Sequence, residues 1–123
     1  MMDFKVSYQV EGGIVSGKIE GGLTKELAAK YFTQVGALAS ERGYSRVLTD
    51  VRAARLLANV VDMESLSKDL SSLGLAPAFK RAIVLSEDVK AYKTWENYCF
   101  RNGYQQIKLF FDHEKAVDWL SEN

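Results

Sequence analysis

The sequence has little of several residue types on which whole classes of protein depend. Its one cysteine, Cys99, excludes an internal disulfide and is typical of a reducing compartment. Its one histidine, His113, leaves too few ligands for a metal cluster. The 16 basic and 16 acidic residues cancel, so no broad basic surface favours nucleic acid. We therefore expect no disulfide framework, no metal or other cofactor, and no nucleic-acid partner.

Long apolar runs are also absent. No stretch of about 18 consecutive apolar residues occurs, so no membrane span is predicted. The start, residues 1–5, carries no apolar signal segment. The 123 residues, 47% hydrophobic and 26% charged, match an ordinary globular protein of one domain. We expect a single domain over residues 1–123, located in the cytoplasm.

The first part of the chain predicts a β-hairpin followed by a helix. Apolar residues alternate with polar ones, as in a half-buried strand, at Phe4, Val6, Tyr8 and Val10. The glycines of residues 11–13 supply a tight turn, and residues 14–20 form the partner strand. Thr24 is predicted to cap a helix that runs to about Arg42, where Gly43 ends it.

Residues 46–52 are predicted to form the central strand. Val47, Leu48 and Val51 carry branched or bulky groups on both faces, the pattern of a strand that is covered on each side. The segment that follows, residues 53–61, is too apolar for a solvated loop and has no clear period. We expect it to be irregular or to contain a short helical piece.

The next elements are a helix and a buried strand. Asp62 is predicted to cap the second helix, which Gly74 ends. Lys80 and Arg81 then introduce residues 82–85, a short apolar run that is typical of a buried parallel strand.

A third helix, a last strand and a fourth helix complete the pattern. Ser86 is predicted to cap the third helix, which reaches about Asn102. Residues 107–111 form the last strand, and Asp112 caps the final helix. The order ββαβαβαβα predicts a single α/β domain. Its mixed five-stranded sheet has an N-terminal antiparallel hairpin and then parallel βα units, with about four helices.

The element order, the strand ending Leu48-Thr49-Asp50-Val51-Arg52 and the closing residues 110–120 resemble the SpoIIAA-like family of small bacterial proteins. That family is related in fold to STAS domains and to the lipid-binding domain of eukaryotic phosphatidylinositol transfer proteins. The resemblance covers nearly the whole chain and implies a SpoIIAA/STAS-like fold. The STAS relatives act as regulatory interaction modules, whereas the lipid-transfer relatives hold apolar ligands.

The sequence departs from this resemblance at one position. In the anti-sigma-factor antagonists that STAS domains resemble, a phosphorylatable serine follows the central strand, at the amino end of the next helix. Here no Ser or Thr occurs between Asp50 and Met63. Ser65 and Ser67 lie within the predicted second helix, where a phosphate is less well placed to act as a switch. A phosphorylation switch at that position is therefore unsupported.

Asp50 and Arg52 are the first candidate site residues. In open α/β sheets, ligands and partners usually dock at the carboxyl ends of central strands. The two side chains flank one residue and point the same way, so they could form a polar pair, or reach toward Arg55 to hold an anionic ligand. Equally, Asp50 could cap loop amides while Arg52 pairs with a neighbouring carboxylate.

Other candidates are apolar. The aromatic stretch Tyr92, Trp95, Tyr98, Phe100 and Tyr104 cannot all face the core, so part of it is interpreted as a partner surface. Leu56, Leu57, Val60 and Val61 could add an apolar patch for dimerisation or a ligand lid. Cys99 is interpreted as a small buried hydrophobe, and His113 as an exposed residue in the first turn of a helix.

Two functions remain open. The first is a non-catalytic regulatory or protein-interaction module, self-associating or bound to another protein, whose contact surface is the loop after Asp50 and the adjacent helix. The alternative is a binder of a small apolar or lipid-like ligand, with residues 56–61 as a movable cover and Arg52 or Arg55 holding an acidic head group.

The interior distinguishes the two functions. A packed interior favours the interaction module, whereas an apolar cavity of roughly 300 Å³ or more near Arg52 favours the ligand binder. No nucleophile and base pair, metal set or cofactor motif is visible in the sequence, so we do not expect an enzyme.

Overall fold

The computed structural model describes residues 4–122, without the side chain of Phe4, so the inward position predicted for Phe4 lies outside what is described. The described chain forms one five-stranded sheet and four helices. The strands are β1 (Phe4–Glu11), β2 (Ile14–Leu23), β3 (Arg46–Leu56), β4 (Lys80–Val84) and β5 (Ile107–Phe110). The helices are α1 (Lys25–Arg42), α2 (Val60–Asp69), α3 (Val89–Arg101) and α4 (His113–Ser121).

The strands lie in the sheet in the order in which they occur along the chain. β1 pairs with β2 in the antiparallel sense through the predicted hairpin, with Val10 opposite Val15. All later neighbours are parallel, so that Val15 lies opposite Val47 and Leu48 opposite Ala82. The predicted mixed sheet is confirmed, and β3 occupies its centre.

Helices cover the sheet unequally on its two faces. α1, α2 and α3 pack on one face and enclose the larger core, to which Val47 and Val51 contribute. α4 alone packs on the other face, against β3, β4 and β5, and encloses a smaller core around Leu48. β3 is therefore covered on both faces, as its sequence predicts, while no helix of residues 4–122 covers the α4 face of β1 and β2.

The close fit of α1 to the sheet depends on a glycine in β2. The Tyr31 ring lies so near Gly17 that a Cβ atom there would be 2.3 Å from Tyr31 Cε1. The Tyr31 hydroxyl hydrogen-bonds Thr49 Oγ1 at 2.6 Å, and its ring stacks on that of Tyr8 with centroids 6.0 Å apart. Because Gly17 has no side chain, a tyrosine from α1 can reach across to β3.

Two predicted helix starts are correct. Thr24 caps α1 by accepting a hydrogen bond from the backbone N–H of Leu27, and Gly43 ends the helix with a left-handed backbone (φ 70°). Asp112 caps α4 by accepting the N–H groups of Glu114 and Lys115. In each case the short polar side chain satisfies backbone donors that have no partner within the helix.

The predicted start of α2 is wrong by three residues. Asn59, rather than Asp62, is the N-cap: its side chain accepts the N–H of Asp62, and the Asp62 carboxylate accepts the N–H of Asn59. Asp62 thus belongs to a reciprocal capping box. α2 also ends at Asp69, before the turn that leads through Gly74.

The predicted start of α3 is also wrong. Asp88 is the N-cap residue, in a left-handed conformation (φ 59°) and without a side-chain cap hydrogen bond. Ser86, the predicted cap, lies in the preceding loop and donates its hydroxyl to the carbonyl of Arg52 at 3.3 Å. Ser86 therefore ties the loop after β4 to β3 instead of starting a helix.

β3 is longer than the sequence predicts. Residues 53–56, expected to be irregular or helical, continue the strand and pair with β2 alone, since β4 leaves β3 at Asp50. The register also slips, with Lys18 opposite Asp50 but Glu20 opposite Ala53, so β3 carries one extra residue. Such a bulge changes the direction of the side chains around it. Only residues 57–59 form a loop before α2 begins.

Candidate functional site

Asp50 and Arg52 form a polar pair beside the β3 bulge. The Asp50 carboxylate accepts hydrogen bonds from Arg52 Nε at 3.0 Å, from Arg52 Nη2 at 2.8 Å and from the Arg52 backbone N–H at 3.0 Å. The Asp50 side chain is 8% exposed and that of Arg52 is 43% exposed. The two side chains thus form the polar pair that was one interpretation, and Asp50 also accepts a backbone amide, as the other interpretation expected. No described hydrogen bond or ion pair joins Arg55 to it.

The pair holds the Asp50 carboxylate in its charged form. Burial by itself would raise the pKa of Asp50, but the hydrogen bonds and charge of Arg52, with a contribution from Lys18, hold that pKa below its usual value. A carboxylate with a lowered pKa is a weak base. The pair is therefore suited to holding the Arg52 guanidinium in one position rather than to accepting a proton.

A polar groove lies on the α4 face of the sheet, beside the part of β1 and β2 that no described helix covers. Its volume is about 290 Å³, and it is lined by Ser7, Tyr8, Gln9, Ser16, Gly17, Lys18, Leu48, Asp50 and His113. His113 is the exposed first residue of α4, as predicted. The Asp50 side of the Asp50–Arg52 pair therefore faces this groove.

Exposed aliphatic side chains follow the end of β3. Leu57, Val60 and Val61 are 41%, 53% and 74% exposed, and we call these three residues the α2 patch. Leu56 does not belong to it, since its half-buried side chain packs against the larger core. The structure thus divides the apolar segment predicted from the sequence into one inward residue and three outward residues.

An apolar cavity of about 60 Å³ lies between the sheet and α1, α2 and α3. Arg52 is not among its lining residues, and its volume is far below the roughly 300 Å³ of a typical ligand pocket. Arg81 is among the lining residues. The sequence did not predict this position, because Lys80 and Arg81 were expected to precede the buried strand. Both residues belong to β4, where Arg81 and Ile83 face the larger core, and Leu85, directly after the strand, continues the alternation. That alternation is the signal that could have identified Arg81.

The aromatic stretch of α3 divides as its spacing predicts. Tyr92, Trp95 and Tyr104 are buried, whereas Phe100 is exposed. Cys99 is fully buried, as expected of a small hydrophobe, and burial raises the pKa of its thiol. Part of the stretch therefore builds the core beneath α3 and part faces solvent.

Comparison with known proteins rests on structure. No protein-family model matches the sequence, and no curated protein matches it. An anti-sigma factor antagonist from Mycobacterium paratuberculosis superposes with a TM-score of 0.65 at 9% identity, covering 98% of this chain and 96% of that one. A protein of the DUF3478 family with a SpoIIAA-like fold, from Shewanella loihica PV-4, gives 0.59 at 21% identity, covering 98% and 95%. The chain has a SpoIIAA-like fold.

A third similar structure is SpoIIAA itself. The phosphorylated form of this Bacillus cell fate determinant superposes with a TM-score of 0.51 at 14% identity, covering 96% of this chain and 99% of that one. Together the three structures confirm the fold implied by the sequence resemblance.

Within this SpoIIAA-like fold, the serines of α2 are engaged in hydrogen bonds. Ser67 is buried, donating its hydroxyl to the carbonyl of Glu64 and accepting from Asn102 Nδ2. Ser65 accepts a hydrogen bond from Lys25 Nζ at 3.1 Å. The amino end of α2 is closed by the Asn59 and Asp62 side chains.

None of the helices in residues 4–122 is both long enough and apolar enough to cross a membrane.

Proposed function

We propose that the protein is a non-catalytic regulatory module that binds another protein through the α2 patch. One similar structure is named an anti-sigma factor antagonist and another a cell fate determinant, and these names support a regulatory role for the shared fold. Because the single cysteine is fully buried and forms no disulfide, we place this module in the cytoplasm.

The observation that carries the proposal is the exposure of the α2 patch. Leu57, Val60 and Val61 lie within five residues at the end of the central strand, and all three expose much of their apolar surface. Clusters of exposed apolar side chains are one kind of surface through which proteins associate. This surface lies at the carboxyl edge of the sheet, where binding sites of α/β folds concentrate.

Charged groups beside the patch indicate the chemistry of the partner. Arg55 is exposed at the end of β3 and makes no described ion pair, so its charge is available to an incoming protein. Arg52 is already paired with Asp50, while Leu56 packs against the larger core next to Leu57. We therefore expect the partner to present an apolar segment with a carboxylate opposite Arg55.

The interior supports this proposal over a lipid-like ligand held by Arg52 or Arg55. The apolar cavity is too small for such a ligand, and Arg52 lies on the other face of the sheet. The α2 patch, which is already exposed, is therefore the better candidate for a binding site than the cavity.

Site-specific crosslinking tests the proposal. A photo-crosslinking amino acid is placed at Leu57 or, as a matched control, at Phe100, which is similarly exposed (43%) in the last turn of α3 at the opposite edge of the sheet. After irradiation in cells of the protein's own host, we expect one protein adduct from position 57 and none from position 100. Equal adducts at both positions would contradict the α2 patch as the contact.

The crosslinked protein is then purified and its affinity measured. The Val61→Asp variant should bind it at least about tenfold more weakly than the parent chain, because a charge is placed in the centre of an apolar contact. The Phe100→Asp variant should bind normally. Unchanged binding by Val61→Asp, or an adduct that is a second copy of this chain, would overturn the proposal.

A further inference from the structure

The core contains a buried arginine without a carboxylate partner. Arg81 lies in β4 and is 3% exposed. Within residues 4–122 it forms no ion pair, and the acceptor its guanidinium meets is Cys99 Sγ, at 3.8 Å from Nη1. Thiol sulfur is a weak acceptor. A buried charge normally has a counter-ion, because removing it from water is costly.

Aromatic rings surround this charge. The guanidinium carbon lies 5.6 Å from the ring centroid of Phe32, 5.9 Å from that of Trp95 and 5.4 Å from that of Tyr104. Ring faces attract a cation, which accounts for how the charge is tolerated. They do not take up the hydrogen-bond donors of the guanidinium, so most of its N–H groups remain available.

A second buried donor lines the same cavity. The hydroxyl of Tyr92 is buried and has no hydrogen-bond partner among the described residues. Tyr92 and Arg81 are both among the residues that line the 60 Å³ cavity, and the lining as a whole is almost entirely apolar. Tyr31 and Thr49 also line it, but they bond to each other. The residues around the cavity therefore include a cation without a described counter-ion and a hydroxyl without a described partner, within apolar walls.

We propose that this cavity binds a short-chain organic acid, whose carboxylate accepts hydrogen bonds from Arg81 and Tyr92. A planar carboxylate matches the fork of a guanidinium, and one negative charge neutralises the single buried positive charge. The hydrocarbon part then contacts apolar wall residues such as Ile19, Val51 and Met63.

The cavity volume limits the length of the acid. Since about 10–15 Å³ of such cavity volume holds one water molecule, 60 Å³ accommodates a carboxylate and only a few carbon atoms. Leu56 and Ala58, the half-buried lining residues next to exposed Leu57, place one side of the cavity near the surface. A ligand of this size and charge differs from the lipid-like molecule considered above, and its binding does not depend on the α2 patch.

The two tryptophans supply the test. Trp95 lines the cavity, whereas Trp119 packs against Phe110 on the α4 face. In ¹H–¹⁵N NMR spectra of the whole chain, titration with acetate, propionate and butyrate should shift the indole N–H signal of Trp95 saturably and leave that of Trp119 unchanged. Propionamide, which lacks the charge, should bind at least about tenfold more weakly than propionate.

Three variants locate the binding groups. Arg81→Met should weaken propionate binding at least about tenfold, and Tyr92→Phe severalfold, while Arg42→Met, at an exposed position in the last turn of α1, should leave it unchanged. Tyr92→Phe removes one oxygen and keeps the proposal falsifiable if Arg81→Met does not fold. Absence of binding by all three acids would overturn the proposal. So would equal shifts at both tryptophans, equal affinity for propionamide, or parental affinity in Tyr92→Phe.

Discussion

Arg52 folds back onto Asp50, two residues earlier in the same strand, and bonds both carboxylate oxygens through its side chain. The bulge lies at the same place, since Lys18 of β2 is opposite Asp50 but Glu20 is opposite Ala53. The Asp50–Arg52 pair therefore lies at the bulge. Since the Asp50 carboxylate also accepts the Arg52 backbone N–H, the carboxylate fixes the local backbone as well as the guanidinium.

Replacing Asp50 should make stability less dependent on acid pH. The pKa of Asp50 is below its ordinary value of 3.8 in the folded chain, so the folded state binds fewer protons than the unfolded state in acid. Its contribution is therefore complete above about pH 5 and is lost as pH falls through the folded pKa. In urea unfolding at pH 7, the free energy of unfolding of the parent chain should be about 1 kcal/mol larger than that of Asp50→Asn. At a pH below the folded pKa of Asp50, the two free energies should be equal.

Asp118, an exposed carboxylate in α4, supplies the control for this measurement. Asp118→Asn should follow the parent chain at every pH. A difference between the parent chain and Asp50→Asn that is the same at pH 7 and pH 3 would show that the charge of Asp50 does not stabilise the fold.

A methyl group at Gly17 should destabilise the protein. The added Cβ would lie 2.3 Å from Tyr31 Cε1 and 2.4 Å from the Tyr31 hydroxyl oxygen, so α1 or the ring must move. We expect Gly17→Ala to lower the free energy of unfolding by roughly 1–3 kcal/mol. Ser16→Ala, one residue away on the other face of β2, should change it by less than about 0.5 kcal/mol. Comparable losses in the two variants would contradict the close approach.

Removing the Asn59 side chain from the α2 capping box should destabilise the protein more than removing the Ser86 hydroxyl, which caps no helix. Asn59→Ala should lower the free energy of unfolding by about 1 kcal/mol, because an N–H at the helix start loses its acceptor. Ser86→Ala should have a smaller effect, since its hydroxyl makes only a 3.3 Å bond to the Arg52 carbonyl. Urea unfolding of both variants is the measurement, and the reverse order would contradict the observed caps.

Cys99 should be unreactive in the folded protein. Its thiol is fully buried, and burial raises its pKa, so little thiolate is available at neutral pH. A chromogenic disulfide reagent should modify it only on the timescale of unfolding and at once in denaturant. Stoichiometric reaction within seconds under native conditions would show that α3 opens readily.

The sequence predicts the order of elements along the chain, the hairpin and the central position of β3 well, because the apolar pattern carries that information. Val47, Leu48 and Val51 identify a strand covered on both faces, and the short run after Arg81 identifies another. The length of β3 could not be read this way. Residues 53–56 become a strand because β2 continues to Leu23 and pairs with them, a contact between distant parts of the chain.

The candidate site was predicted in part. The pairing of Asp50 with Arg52 follows from their spacing in a strand, but the outward position of Leu57 and the inward position of Leu56 depend on the bulge. Arg81 was missed because arginine is rarely buried without a partner, so its position at the start of an apolar run favoured an exposed flank.

A single carbonyl oxygen, that of Leu23, accepts the backbone N–H groups of both Leu57, at 2.9 Å, and Ala58, at 3.2 Å. Leu56 lines the cavity and Leu57 faces solvent, so a single peptide unit separates the two sides here. Among residues 4–122, the Leu23 carbonyl is the one acceptor that holds these two N–H groups. When these hydrogen bonds open, both amides lose their protection together. The amides of residues 57 and 58 should therefore show matched protection factors in hydrogen exchange, and those factors measure how often this side of the core opens.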